Sequence, residues 1–328
     1  MSHKRQGGSW TGWIGLLWGF SALAGARDDY PQRPIRLIVP FATGGAADIV
    51  ARLISNKLTE GLGQSVVVDV RPGAGSVLGT DLAAHSAPDG HTLVMVANAH
   101  VINPGLLNKM PYDAIKDFSP ITLAVDSPLV FVVPASQGLH QLTDLIALAK
   151  SKPAQITYGS AGQGTSGHLA IELLSFKTGI KLIHVPYKGA GQALVDLIGG
   201  QIQLVCTSSL PALPGVRSGQ LRALALTSAQ RSPIAPDIPT VAEAAGLPGF
   251  RASTWYALLA PAKTPKPIIN KLYEVTSQAL KSQSVSSKLL QQGAQGIGNT
   301  PEELLQFLQT EMQTLGQVIR VANVKPNT

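Results

Sequence analysis

Cysteine is almost absent from this chain of 328 residues, and Cys206 on its own excludes an intramolecular disulfide. Aromatic residues account for only 5% and charged residues for 14%. That composition argues against a coiled coil, a disordered chain, or a basic surface interleaved with aromatic rings that would bind nucleic acid. The seven histidines show no metal-ligand spacing, and one cysteine cannot complete a zinc site. We therefore expect no metal and no cofactor.

Long hydrophobic runs are also missing after the N-terminus, because no later segment reaches about 18 uninterrupted apolar residues. At the N-terminus itself, Lys4 and Arg5 precede an apolar stretch at residues 10–20, and Ala24-Gly25-Ala26 matches a cleavage site. The pattern predicts a signal peptide over residues 1–26, cleaved near Ala26, and a location in the periplasm. The net charge of +7 suits the attraction of small acidic ligands.

Apolar runs of strand length alternate with segments of helical periodicity, which is typical of an α/β sheet. The pattern predicts strands at residues 35–39, 66–70, 93–96, 156–158, 182–185, 204–206, 221–227 and 255–259. Helices are predicted at residues 46–61, 76–86, 168–178 and 190–198, and the last third of the chain is expected to be helical. Thr300-Pro301-Glu302-Glu303 is a capping box that predicts the start of the final helix.

Two lobes are predicted, because the chain is longer than the roughly 250 to 300 residues at which a single core stops growing. Short strands at residues 121–124 and 129–133 are separated by only Val125-Asp126-Ser127-Pro128, too short for a helical crossover. We expect the lobe boundary there. The first lobe would comprise residues 27–126 and 251–328, and the second lobe residues 127–250.

The segment that we call the first loop, residues 40–48, joins a predicted strand to a helix whose first turn carries almost no side chains. Backbone N–H groups at a helix start lack intrahelical partners, and the helix dipole adds partial positive charge, so a small anion can bind there. The candidate ligand-binding residues of this loop are Phe41, Ala42, Thr43, Gly44, Gly45, Ala46, Ala47 and Asp48. For Asp48, a plain structural role as a first-turn acid is the alternative.

The second loop, residues 160–166, repeats the arrangement after another predicted strand. Its glycines allow close backbone approach to an anion, and its hydroxyls can donate hydrogen bonds. The candidates here are Ser160, Ala161, Gly162, Gly164, Thr165, Ser166 and His168. A purely structural glycine-rich turn is the alternative. Together the two loops suggest a clamp for one carboxylate.

Further candidates lie at the carboxyl ends of other predicted strands, where ligand crevices form in open α/β sheets. These are Asn98, Tyr187, Lys188 and Thr207. Tyr187 could close over a ligand and Lys188 could add positive charge, although Lys188 could equally be a solvated surface residue.

Two enzymatic hypotheses compete with this binding site. Residues 162–167 match the G-x-G-x-x-G fingerprint of dinucleotide sites, but no carboxylate stands about 20 residues further on to bind a ribose. A secreted hydrolase could use Ser160 and His168, although Tyr158 stands where a nucleophile elbow requires glycine. We expect the protein not to be an enzyme.

Ordered motifs along the chain resemble the Bug family, the extracytoplasmic solute-binding receptors of tripartite tricarboxylate transporters. The motifs are Pro34-Ile35-Arg36-Leu37-Ile38-Val39-Pro40-Phe41 with Gly44-Gly45 and Asp48, Arg71-Pro72-Gly73-Ala74-Gly75, Pro88-Asp89-Gly90, Asp117-Phe118, His184-Val185-Pro186-Tyr187-Lys188-Gly189, Leu221-Arg222-Ala223-Leu224-Ala225, Pro239-Thr240-Val241-Ala242-Glu243 and Ala260-Pro261-Ala262. The sequence departs from the family at Ala42-Thr43, His91 and Cys206, which leaves the identity of the ligand open.

The resemblance implies a periplasmic-binding-protein fold of type II, with each lobe a mixed sheet flanked by helices and a carboxylated ligand held between the lobes. It implies that the two loops and adjacent strand ends bind a di- or tricarboxylate, an amino acid or an aromatic acid. It also implies delivery to an integral-membrane permease. We expect a monomer that binds no nucleic acid. A receptor that passes the ligand signal to a signalling partner remains an alternative.

Overall fold

A computed structural model describes residues 30–321. The predicted signal peptide lies outside the described residues. The strands are β1 (Ile35–Val39), β2 (Val66–Val70), β3 (Thr92–Ala97), β4 (Phe118–Pro134), β5 (Thr157–Ser160), β6 (Ile183–Pro186), β7 (Leu204–Ser208), β8 (Leu221–Leu226), β9 (Ser253–Pro261) and β10 (Gln295–Gly296). The helices are α1 (Ala46–Leu62), α2 (Val77–Ala84), α3 (Ala99–Leu106), α4 (Leu142–Ser151), α5 (Ser166–Thr178), α6 (Ala190–Ile198), α7 (Ser209–Arg217), α8 (Val241–Ala245), α9 (Lys266–Lys281), α10 (Gln283–Gln291) and α11 (Pro301–Val321).

The strands form one mixed sheet in the order β2-β1-β3-β9-β4-β7-β5-β6, with β8 and β10 also paired to β4. β1 is parallel to β2 and β3, and β5 is parallel to β6 and β7. β9 runs antiparallel between β3 and β4. The predicted α/β class is therefore confirmed. β9, which follows β8 in the sequence, pairs with β3 and so lies in the half of the sheet formed by β1, β2 and β3.

The prediction of two short strands around residues 121–133 was wrong, because β4 is a single strand of 17 residues. Pro128 does not interrupt it. The pairing partner changes at this point instead: residues 118–128 pair with β9, and residues 129–134 pair with β7 and β8. A strand can pass from one set of partners to another without a turn, so a polar, proline-containing segment is not by itself a strand end.

Helix periodicity predicts the buried faces well. In α1, Val50, Ile54 and Leu58 recur every four residues and are fully buried. Glycine at the position after Leu62 ends the helix in a left-handed conformation. The predicted capping box is present at the start of α11, since Thr300 Oγ1 accepts from the Glu303 N–H and the Glu303 carboxylate accepts from the Thr300 N–H.

The apolar core of the described residues is divided among several clusters. One contains Trp255 and the buried side of α11, and another is centred on Phe131, Tyr158 and Phe250. Within residues 30–321, none of the helices combines the length and the apolar character needed to cross a bilayer. Across the same residues, no group of three or more metal-ligating side chains is placed to hold an ion.

Candidate functional site

Five strands of the sheet, β1, β3, β5, β6 and β7, are each followed closely by a helix whose N-terminus lines one cavity. The five helices are α1, α3, α5, α6 and α7. The cavity is small, with a volume of about 50 Å³. Its lining residues are Phe41, Gly45, Ala46, Ala47, Ala97, Asn98, Ala99, Leu129, Ala161, Thr165, Ser166, Gly167, Ala190, Cys206, Thr207, Ser208, Thr254 and Tyr256. The helix starts therefore converge on one space.

Side chains do not cap four of these five helix starts. The N-cap residues of α1, α3, α5 and α6 are Gly45, Asn98, Thr165 and Gly189, and none accepts a capping hydrogen bond. Only α7 is capped by a side chain, since Ser208 Oγ accepts from the Leu210 N–H. The first N–H groups of the four uncapped helices keep their donor capacity, and the helix dipoles make the cavity electropositive.

The cavity wall combines apolar side chains with hydroxyl and backbone polar groups. Among the described residues that line it there is no Lys, Arg, Asp or Glu. Burial raises the pKa of Tyr256 to about 12, so its phenol is neutral at physiological pH. Positive potential therefore comes from the backbone, and the Thr207 side chain adds a hydroxyl to the cavity wall. This combination can bind a small anion and does not supply a nucleophile with an adjacent base.

The first loop is supported by its own acid. The Asp48 carboxylate accepts from the Gly44 N–H at 3.0 Å and from Arg52 Nε at 2.8 Å, and the Asp48 side chain is buried. Thr43 and Gly44 are exposed, and Gly44 has a φ of 77°, which favours glycine. Asp48 therefore holds the turn that leads into α1, and it does not line the cavity.

The second loop is supported by a buried network. Ser160 Oγ lies 2.7 Å from His184 Nε2, donates to the Gly162 carbonyl at 2.9 Å and accepts from the Gly162 N–H at 3.1 Å. These contacts are mutually satisfied when His184 carries its proton on Nε2. Thr165 Oγ1 also donates to the Gly162 carbonyl at 2.7 Å. The hydroxyls that were predicted to face a ligand thus hold the loop in part.

A stack of rings lies beneath the second loop. His168 and His184 have ring centroids 4.3 Å apart, and the Tyr158 ring centroid lies 4.8 Å from that of His184 and 6.4 Å from that of His168, with the three rings nearly parallel. Nδ1 of His168 accepts from the Gly164 N–H. Burial lowers the pKa of His168 to about 3 and that of His184 to about 4, and the neighbouring His184 also depresses the pKa of His168. Both rings are therefore neutral at physiological pH, as the acceptor role of His168 requires.

The pairing required by the hydrolase hypothesis is not the one observed. Ser160 contacts His184, while His168 accepts from the loop backbone. In the described structure the rings of His168 and His184 stack, and His184 is the one that reaches the Ser160 hydroxyl.

The predicted site residues fall into three groups. Those that line the cavity are Phe41, Gly45, Ala46, Ala47, Asn98, Ala161, Thr165, Ser166 and Thr207. Gly162, Tyr187 and Lys188, together with Ala161, line a neighbouring cavity. Ala42, Thr43, Gly44, Asp48, Ser160, Gly164 and His168 line neither of these two cavities. Direct ligand contact by any of these residues stays a prediction.

Two predicted side chains are already engaged. Asn98 Oδ1 accepts from the Trp255 N–H at 3.0 Å, and its amide nitrogen donates to the Ser253 carbonyl at 3.3 Å, so this side chain holds β9. The Tyr187 hydroxyl donates to Asp196 at 2.7 Å, and burial followed by this contact raises its pKa to about 12. The backbone of Asn98 can still face the cavity, whereas the Tyr187 hydroxyl already donates its proton to Asp196.

Several lining residues were missed by sequence reasoning. They are Ala97, Ala99, Leu129, Gly167, Ala190, Cys206, Ser208, Thr254 and Tyr256. Ser208 follows the predicted Thr207 in a polar run after β7, so that run carried a usable signal. Tyr256 and Thr254 come from β9, which reaches the site only through long-range pairing, and no local motif marks them.

A strained segment forms part of the second cavity. Residues 73–76 all have positive φ, including Ala74 at 47° and Ser76 at 84°. Asn103 Nδ2 donates to the Gly75 carbonyl at 2.9 Å, and Gly75 packs against the backbone of Gln163 and Gly162 in the second loop. Strain of this kind persists where surrounding contacts hold it and is often functional.

Comparison with known proteins places these features in context. Residues 50–324 match the model of the tripartite tricarboxylate transporter family receptor. The chain is 38% identical to Protein BugT of Bordetella pertussis over 316 residues, which is 95% of this chain and 97% of that one. The structure of the periplasmic binding protein BugD superposes with a TM-score of 0.88 at 32% identity, covering 91% of this chain and 100% of that one.

A third relative was solved with a ligand. The R. palustris protein Rpa4515 with adipate matches with a TM-score of 0.88 at 33% identity, again over 91% of this chain and all of that one. These matches extend over nearly the whole described chain and confirm the predicted fold class.

Proposed function

The chain belongs to the tripartite tricarboxylate transporter receptor family, and from this premise we propose that it captures a small carboxylate in the periplasm and delivers it to a membrane permease. The ligand is a di- or tricarboxylate, an amino acid or an aromatic acid. It binds without covalent chemistry. The adipate bound by Rpa4515 supports a carboxylate as the ligand class.

The observation that carries the proposal is the convergence of helix N-termini on a cavity without charged side chains. A carboxylate there would accept hydrogen bonds from uncapped N–H groups of α1 and α5 and would be stabilised by their dipoles. Hydrogen bonds to a charged group contribute roughly 1.5 to 3 kcal/mol each. Four or five of them give about micromolar affinity after the costs of association are subtracted.

Closure of two lobes is part of the proposal. The first loop follows β1, and the second loop follows β5, near the other end of the strand order. In the described conformation the Ala42 N–H donates to the Lys188 carbonyl at 2.9 Å, which joins the first loop to the segment after β6. A ligand favours this closed state, because only there can the starts of α1 and α5 reach it together.

A panel of carboxylates tests the proposal directly. Adipate, malate, citrate, glutamate and benzoate are compared with their neutral esters or amides by thermal shift, and molecules that co-purify are identified by mass spectrometry. A carboxylate present at 100 times its dissociation constant adds about 2.7 kcal/mol of stability and raises the melting temperature by several degrees. The matched neutral compound should not. Equal shifts for acid and ester, or flat melting with no acid co-purified, would contradict the proposal.

Proline substitutions sharpen the test, because proline at the first position of a helix removes one N–H and leaves the helix intact. Ala46→Pro and Ser166→Pro place it at the starts of α1 and α5, where the preceding residues have the extended ψ that proline requires. Each should weaken carboxylate binding about 10- to 150-fold, equivalent to one charge-assisted hydrogen bond. Gln283→Pro, at the exposed start of α10, is the matched control and should bind like wild type.

A further inference from the structure

Backbone packs on backbone where α6 meets the first loop. A Cβ atom added at Gly191 would lie 2.7 Å from the Thr43 carbonyl oxygen and 3.0 Å from the carbonyl carbon of Gly44. The first separation is shorter than any normal Cβ contact. Both neighbours are main-chain atoms, so they cannot rotate away as a flexible side chain would. The described arrangement therefore has no room for a side chain at position 191.

The backbone conformation at position 191 does not require glycine. Gly191 is the second residue of α6, and its φ is not among the positive values of the described chain. A helical position accepts any L-residue, and alanine has a higher helix propensity than glycine there. By contrast, Gly44 has a φ of 77° and is needed for its own turn. The absence of a side chain at Gly191 is therefore explained by its contact with the first loop.

That contact is part of a small interface. The Ala42 N–H donates to the Lys188 carbonyl at 2.9 Å, and a Cβ at Gly189 would lie 2.9 Å from both the Ala42 nitrogen and its Cβ atom. The first loop extends from β1, whereas residues 188–191 extend from β6, and five strands lie between β1 and β6 in the sheet order. The contact thus joins distant parts of the sheet close to Gly45 and Ala190, which line the cavity.

We propose that Gly191 determines closure: its missing side chain lets α6 dock on the first loop, and a larger residue holds the cleft open. The inference rests on the proposed function, since it assumes that binding and closure are coupled. The apparent dissociation constant equals the intrinsic value divided by the fraction of molecules that can close. A residue that excludes the closed state therefore weakens binding without touching the ligand.

The variant Gly191→Ala tests this inference with a single methyl group. Gly316→Ala is the matched control, because it lies inside α11 and its added Cβ would be 3.8 Å from the tip of Arg320. Isothermal titration with adipate, and with malate where adipate does not bind, measures the dissociation constant. Gly191→Ala should bind at least tenfold more weakly, and Gly316→Ala should stay within twofold of wild type. Urea unfolding should show that both variants remain folded.

Hydrogen exchange at the Ala42 amide supplies a readout that requires no ligand, because this N–H is bonded across the interface. It should exchange faster in Gly191→Ala than in wild type, while amides in the core strand β4 keep their protection. Dissociation constants within twofold of wild type would overturn the inference. Wild-type protein that binds neither probe would contradict a dicarboxylate ligand instead, and the exchange comparison would then decide the inference alone.

Discussion

The two glycine-rich loops look alike in the sequence, yet different interactions support them. The first loop is partly exposed, and a carboxylate from its own helix, Asp48, bonds the Gly44 N–H. The second loop contains buried Ser160, whose hydroxyl contacts His184, and the His184 ring stacks on that of His168. Each loop presents an uncapped helix start to the same cavity. The comparison teaches that glycine and strand patterns predict the path of such a loop, while the groups that hold it must be found in the structure.

The largest difference between the two loops should appear when a methyl group is added at a glycine of each helix start. A Cβ at Gly167 would lie 2.0 Å from the Cys206 carbonyl oxygen, whereas one at Gly45 would lie 3.4 Å from its nearest neighbour, the Ala42 oxygen. We expect Gly167→Ala to lower the free energy of unfolding by about 3 kcal/mol or more, and Gly45→Ala by less than about 1 kcal/mol. Urea denaturation measures both. Similar losses for the two variants would contradict the difference in packing.

Acid should destabilise the second loop selectively. Burial lowers the pKa of His168 to about 3 and of His184 to about 4, below the ordinary value of 6.5. The unfolded chain therefore takes up protons before the folded protein does. The contribution of these two rings is complete above about pH 6.5, falls by on the order of 6 to 7 kcal/mol as the pH drops towards 4, and levels off only below about pH 3, where His168 also takes up a proton in the folded protein. Chemical denaturation across this range measures the slope.

A control is needed, because burial also lowers the pKa of His100 to about 4 in another part of the molecule. His168→Asn, which keeps an acceptor for the Gly164 N–H, should flatten the pH dependence relative to wild type. Stability that does not change between pH 7 and 4.5 in the wild-type protein would show that these rings take up protons in the folded protein as readily as in the unfolded chain.

The Ser160 hydroxyl should contribute more to stability than the Thr43 hydroxyl of the first loop. Ser160→Ala leaves the Gly162 N–H and the His184 ring nitrogen without their buried partner, a loss of about 1 to 3 kcal/mol. Thr43→Ala, at an exposed position of the first loop, should change stability by less than about 0.5 kcal/mol. Equal values for the two variants would indicate that water replaces the hydroxyl.

Removing the charge of Asp48 should have the smallest effect. Asp48→Asn weakens the pairing with Arg52, whose side chain is 56% exposed, and exposed pairs contribute about 1 kcal/mol or less. The amide can still accept from the Gly44 N–H. Because a negative charge leaves the start of α1, carboxylate affinity should stay equal or increase. A large loss of affinity in titration calorimetry would mean that Asp48 contacts the ligand after all.

Much of the fold could be predicted from periodicity. β1 and β2 were predicted at their observed bounds, as was α6, because apolar runs and glycine boundaries coincide there. β4 was divided in two because Asp126 and Pro128 resemble a turn, whereas strand pairing with β9 keeps them extended. Pairing over long sequence distances carries no local signal, so the change of partner within β4 could not be predicted.

The site was predictable where one segment supplies both the strand end and the helix start. Both loops have this form, and most of their helix-start residues line the cavity. The start of α3 at Asn98 was found as a polar strand end, but its side chain is used to hold β9. The sequence marks His184 only as part of a motif. Its hydrogen bond with the Ser160 hydroxyl depends on the pairing of β5 with β6, which carries no local signal. Tyr256 could not be found at all from its surroundings in the sequence.

The central claim is that one carboxylate binds the starts of α1 and α5 together. A crystal structure of the protein with adipate, or with the panel acid that gives the largest thermal shift, tests it most directly. We expect carboxylate oxygens within about 3.2 Å of a backbone nitrogen of Ala46 or Ala47 and of one of Ser166 or Gly167. A carboxylate held instead by lysine side chains in the second cavity, with both helix starts free of ligand, would contradict the account.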